Sequence, residues 1–212
     1  CIRDRSDSVD ILEIIALVLK IVAISLLLIS LFTPWLRFNT SSSEKLSSNI
    51  GVTDAEGVVD GIGNVGISNA ILENSTWKAK IVCPTIASIG TIQAILSVIL
   101  LIELSIIWIV KLGPKKGEKI EKISKLYSWD LIICLLSIII PLIAIGYYKT
   151  FSLSLSIYEK SGMGNLVLIS EMVISDISFS LEMGPFIALT AGIIWFISAV
   201  IQGLYISKKT RV

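Results

Sequence analysis

Four ionisable residues lie inside or at the edge of long apolar runs: Glu13 and Lys20 in 11–35, Glu103 in 86–110, and Asp130 at the start of 129–148. A charge on a lipid-embedded helix is costly and asks for a partner. Lys20 lies about nine residues past Ile11 and Glu103 about eight before Lys111, so at about 1.5 Å per residue both sit roughly 12–14 Å in from the same boundary. The two runs are antiparallel, which predicts an intramembrane Lys20–Glu103 ion pair that Glu13 and Asp130 could extend into a network. Two kinds of chemistry are open to such a group. A structural pin fixes helix register, because removing one partner strands the other charge. A proton or ion relay needs polar groups across the whole bilayer, and the outer halves of these runs offer only scattered Ser, Thr and Gln93. The pin is the favoured reading.

Other chemistry is poorly supplied. Histidine is absent, which removes the usual general base and the commonest transition-metal ligand. Cys1, Cys83 and Cys134 are scattered singly, without a C-x-x-C pair, so Cys83 has no obvious disulfide partner. Lipidation of Cys1 would put the N-terminus outside, against the charge pattern. Asp54, Glu56 and Asp60, with Gly57 and Gly61, offer oxygen ligands but depart from the calcium-loop spacing. No phosphate-binding glycine loop, nucleophile elbow or zinc-helix motif occurs. The expectation is a protein that is not an enzyme, with no cofactor and no metal.

The elements that must position these residues are membrane spans. The chain has 212 residues, 54% of them hydrophobic, and a mean hydropathy of +0.84, wrong for a soluble domain of this length. Isoleucine alone supplies 40 residues. The net charge of +1 gives no case for a nucleic-acid partner. Four apolar runs, 11–35, 86–110, 129–148 and 185–206, are each long enough to cross a bilayer, which takes about 20 helical residues. Between the second and third lies 111–128, with six lysines against two glutamates. Short lysine-rich loops stay cytoplasmic, so 1–10, 111–128 and 207–212 are expected inside a cell or envelope membrane, and 36–85 and 149–184 outside. Ile120, Ile123 and Leu126 recur at helical spacing in the basic segment, so it either lies along the membrane surface or is a solvated linker. Pro34 and Trp35 should mark the outer end of the first span, with Trp35 at the headgroup level.

The outer segments carry strand patterns. WLRFNTSS (35–42), FSLSLSIY (151–158), NLVLISEMVIS (165–175) and ISFSLE (177–182) are alternating or β-prone, and GVVDGIGNVGISN (57–69) is glycine-rich and should turn repeatedly. The last three strands predict a hairpin or three-stranded piece joined by strands of the first loop. The fold class is therefore a mainly α membrane protein, a four-helix bundle with a small extracellular β-sheet domain built from both outer loops. Asn39 and Asn74 head N-x-[ST] glycosylation acceptors in the first loop. Ala188, Gly192, Ala199 and Gly203 form a small-residue face on the fourth span, suited to close packing within the chain or between chains.

This layout resembles that of the claudin and peripheral-myelin-protein group. The Pro34-Trp35-Leu36-Arg37 run is similar to that group's Trp-Arg at the end of its first span, and Thr210-Arg211-Val212 resembles a ligand for PDZ domains. The group's paired loop cysteines are represented by Cys83 alone. The resemblance implies a tetraspan with a small outer sheet. The expected role is a structural membrane protein, in contact with lipid, that self-associates through its outer β domain and fourth span to build an array, junction, envelope or coat. The alternative is an accessory subunit of a larger membrane complex. A transporter or channel would need a polar path and an internal repeat, and neither is visible.

Overall fold

The computed structural model describes residues 3–41, 54–70, 77–112, 116–160, 166–174 and 177–210. In chain order these form α1 (Arg3–Phe32), β1 (Pro34–Ser41), β2 (Asp54–Asp60), β3 (Val65–Ala70), β4 (Trp77–Val82), α2 (Pro84–Leu112) and α3 (Lys116–Tyr147). A 3-10 turn (Tyr148–Thr150), β5 (Leu153–Lys160), β6 (Leu166–Ile174), β7 (Ser178–Leu181) and α4 (Gly184–Thr210) follow. Among the described residues, four helices are long and apolar enough to cross a membrane, through Ile11–Phe32, Pro84–Ile109, Trp129–Thr150 and Gly184–Ser207. The chain divides into two compact units.

The first unit, 1–29, 93–142 and 187–212, is helical. Its core repeats every fourth residue: Ala23 and Leu27 on α1, Leu96, Leu100 and Leu104 on α2, and Ala191, Trp195 and Ala199 on α4, with Cys134 from α3. Small residues one turn above and below Trp195 leave room for its indole. The opposite faces carry exposed Ile14, Val18, Ile21, Ile95, Ile102, Ile132 and Ile197, an apolar exterior. The basic segment differs from expectation. α2 runs to Leu112, and Lys116 already begins the helix that continues through the third span. The 3.6-residue spacing of Ile120, Ile123 and Leu126 reflects that continuous helix rather than a separate surface element. Pro141 sits inside α3 and is buried.

The second unit, 30–92 and 143–186, holds two antiparallel sheets, ordered β3-β2-β1-β7 and β4-β5-β6. Each takes strands from both intervals between helices. Of the two forms expected for the second interval, a hairpin or a three-stranded piece joined by strands of the first, the hairpin is present, with β4 beside it. β5 and β6 pair with each other, while β7 pairs with β1, Phe38 opposite Phe179 and both buried. Ser178 Oγ donates to the Asn39 carbonyl at 2.9 Å and fixes that register. Arg37 Nε lies 2.9 Å from Glu182 Oε1 across the same pair of strands.

The glycine-rich stretch is the β2–β3 hairpin. Asp60 Oδ1 accepts from the Ile62 and Asn64 amides at 3.1 and 3.0 Å, and Gly63 closes the turn at φ +81°, a conformation open to glycine. That carboxylate oxygen is committed to its own turn, and among the described residues no cluster of three potential metal ligands forms.

Trp35 is a second difference. Helix α1 stops at Phe32, because Pro34 disfavours helical geometry at Thr33, and Trp35 belongs to β1. It has no solvent exposure, and its Nε1 donates to the Ser30 carbonyl at 2.7 Å. A Cβ on Gly61 would meet the Trp35 indole nitrogen, and one on Gly184 would meet the same ring. The indole is thus the packing centre where α1 ends, the β2–β3 turn folds back and α4 begins, rather than an aromatic at the lipid boundary.

Candidate functional site

Lys20, Glu103, Asp130 and Trp195 come from α1, α2, α3 and α4, one from each helix, and meet in the middle of the first unit. Lys20 Nζ donates to Glu103 Oε1 at 2.5 Å. The same ammonium lies 2.8 Å from Asp130 Oδ2, a charge contact without aligned hydrogen-bond geometry. Trp195 Nε1 donates to the other oxygen, Asp130 Oδ1, at 2.5 Å. Lys20 and Trp195 are fully buried, Asp130 is 1% exposed and Glu103 6%. One turn further along α4, Ser198 Oγ donates to the Ala16 carbonyl at 2.7 Å and ties α4 to α1. The antiparallel course of α1 and α2 sets Lys20 and Glu103 at one depth, and Asp130 reaches that depth from α3.

A single ammonium neutralises two carboxylates poorly, so every remaining lone pair matters. Trp195 meets that need at Asp130, and the indole body fills the space between Ala191 and Ala199. Sliding any helix by one residue moves its contributor by about 1.5 Å along the axis and by about 100° around it, enough to break these contacts. The cluster can hold four helices in one register. The hydroxyls nearby do not extend it into a chain: Ser97 Oγ donates to the Gln93 carbonyl and Ser137 Oγ to the Cys134 carbonyl, each within its own helix.

Of the other residues singled out in the sequence, Ala199 packs in the same core as Trp195. Glu13 is two turns from Lys20 on α1. Asn39 lies exposed on β1, and Asn74 falls outside the described residues. Ala188 and Ala199 are fully buried on α4. A Cβ on Gly192 would stand 2.9 Å from the Ser137 carbonyl oxygen and from Ile138, and one on Gly203 would strike Tyr127. The small-residue face therefore packs on α3 of the same chain, and a second copy finds Gly192 and Gly203 already covered.

Trp195 and Ser198 were missed in the sequence. A tryptophan in the middle of a span, far from the interfacial positions it favours, was the available signal that a buried N–H needed an acceptor.

Cys83 precedes α2, donates its amide to the Gly63 carbonyl at 3.0 Å and accepts from Ala87 at 2.9 Å. It is buried and not in a disulfide. Burial pushes its thiol above the ordinary range, against the opposing pull of the Ile86 and Thr85 amides at the start of the helix. A thiol held in that form is a packing group rather than a nucleophile. No protein-family model matches this chain, and no curated protein matches it.

Proposed function

We propose that this chain is a non-enzymatic four-span membrane protein with both ends cytoplasmic, a structural component that assembles with copies of itself through its β domain on the outer side. The exposed isoleucine-rich faces of all four helices support the membrane setting, since water would not tolerate them. The lysines of 111–128 support the orientation. Direct backbone contact to lipid is left to the helices, whose hydrogen bonds are internal.

The observation that carries the assembly reading is the edge at β6. Sheet order β4-β5-β6 leaves one side of this nine-residue strand without a partner among the described residues, and Val173 on it is 72% exposed. Long apolar edges invite strand addition. Two β6 strands paired antiparallel about Ser170 would set Leu168 opposite Met172 and Ile169 opposite Glu171, with no like charges facing. The small-residue face of α4 is covered by α3, so self-association is assigned to the sheet alone. The cluster around Lys20 serves as the internal pin of each subunit.

The test is the mass and composition of the particle extracted in mild detergent. A homomeric particle whose mass falls on Val173→Lys, with the melting temperature unchanged, supports the reading. A particle built with unlike chains makes this an accessory subunit instead, and a monomer removes the assembly reading.

A further inference from the structure

Trp35 and Trp195 are fully buried, whereas Trp108 on α2 is 54% exposed and Trp129 on α3 is 67% exposed. These two flank the lysine-rich segment: Trp108 is next to last in its candidate span and Trp129 is first in its own. Lys111 follows Trp108 by three residues on α2, and Lys125 precedes Trp129 by four on α3. Residues three or four apart share one face of a helix, so each lysine stands on the face of an exposed tryptophan. The unbroken course of α3 from Lys116 into the third span is what keeps Lys125 on that face. At about 1.5 Å per residue, Lys111 lies about 3 Å beyond Ile109 and Lys125 about 6 Å before Trp129, inside a Debye length of about 8 Å at physiological salt. Glu121, the acidic residue of α3 nearest to Trp129 on that side, lies about 12 Å away along the axis.

Both faces continue as a lipid does. On α3, exposed Ile132 and Leu136 follow Trp129 at three and seven residues, and on α2 exposed Leu101 precedes Trp108 by seven. Each face runs from lysine through indole to aliphatic side chains, the order of polarity from a lipid headgroup to its chains. An acidic soluble partner would meet the lysines and leave the rest. Charge then selects among lipids. Segments 1–10, 111–128 and 207–212 hold eleven Lys and Arg against five Asp and Glu, while 36–85 and 149–184 hold six against nine. A zwitterionic headgroup brings its own ammonium, which competes with lysine for the phosphate; an anionic headgroup keeps its charge for the protein. Given a bilayer around the four helices, we propose that Trp108 with Lys111, and Trp129 with Lys125, bind the headgroups of anionic phospholipids at this end of the bundle. The lysines offset the headgroup charge, and the indole N–H groups donate to phosphate or ester oxygens. The inference rests on the membrane setting and is independent of self-assembly.

The experiment reconstitutes the whole protein in phosphatidylcholine vesicles containing a small fixed fraction of chain-brominated lipid, either phosphatidylcholine or phosphatidylglycerol. Bromine quenches tryptophan fluorescence on contact, so the ratio of the two quenching strengths reads the headgroup preference at Trp108 and Trp129. Brominated phosphatidylglycerol should quench several-fold more strongly per lipid. Lys111→Gln with Lys125→Gln should bring the ratio to unity, and Lys111→Arg with Lys125→Arg should keep the excess. Lys149→Gln, beyond the opposite end of α3, should leave it unchanged. Trp108→Phe with Trp129→Phe should abolish it, because the reporters are gone. Equal quenching by the two lipids, or an excess that survives either the lysine-to-glutamine pair or the tryptophan pair, would overturn the proposal. So would an excess lost in Lys149→Gln or erased by inorganic phosphate at constant ionic strength. Quenching by neither lipid would overturn the membrane setting, and the proposal with it.

Discussion

Replacing Lys20 with methionine removes the ammonium that pairs with Glu103 and Asp130 in the bundle. Its Nζ lies 2.5 Å from Glu103 Oε1 and 2.8 Å from Asp130 Oδ2, with no solvent exposure. At an effective dielectric constant of about 20, each contact represents roughly 6 kcal/mol of gross attraction. Desolvation of three charged groups consumes most of it, so the intact cluster adds little net stability. Loss of the ammonium alone strands two carboxylates beside each other, at a cost of about 3–5 kcal/mol. Glu103→Leu leaves Lys20 and Asp130 as a one-to-one pair and costs about 1–2 kcal/mol. The triple change Lys20→Met, Glu103→Gln, Asp130→Asn removes every charge yet keeps an amide oxygen for the Trp195 indole, and should recover most of the loss. Thermal unfolding in mild detergent reads the order. At about 2–4 °C per kcal/mol for a chain of this length, Lys20→Met should melt on the order of 10 °C low and Glu103→Leu a few degrees low. If Lys20→Met melts no lower than Glu103→Leu, or the triple variant is as unstable as Lys20→Met, the cluster is not the pin described here.

Two further predictions concern packing. Gly192→Ala drives a methyl into the Ser137 carbonyl, backbone that cannot step aside, and should destabilise the protein by about 1–3 kcal/mol without changing the particle's mass; a change of mass at unchanged melting temperature would place that face between chains. Gly146→Ala, with nothing within 4 Å of the added carbon, is the matched control and should be neutral or gain up to about 1 kcal/mol of helix propensity. Cys83 should resist alkylation at pH 8, because the thiolate is the reactive form and burial holds the thiol protonated. Its labelling, resolved from Cys1 and Cys134 by peptide mapping, should accelerate only as the pH rises above the ordinary thiol range; labelling as fast as in denaturant would contradict that environment.

The sequence by itself determined what depends on local pattern. Four runs of apolar residues set the helices, alternating Ser and Leu in FSLSLSIY set a strand, and residue counts from Ile11 and Lys111 set Lys20 and Glu103 at one depth. These follow because hydropathy, period and rise per residue are properties of neighbours along the chain. Tertiary structure decided which faces meet. Nothing local says that Trp195 turns its N–H to Asp130; that depends on the rotation of α4, set by the close contact of Gly192 with Ser137. Nothing local sends β7 to β1 rather than β6, because either pairing satisfies its alternation, and the burial of Phe179 beside Phe38 settles it. Trp35 reads as an interfacial anchor on composition, yet it is enclosed, since Gly61 and Gly184 let two backbones approach the ring from distant parts of the chain. Rotation, pairing and enclosure are choices among locally equivalent options, and only packing against residues far away in sequence can make them.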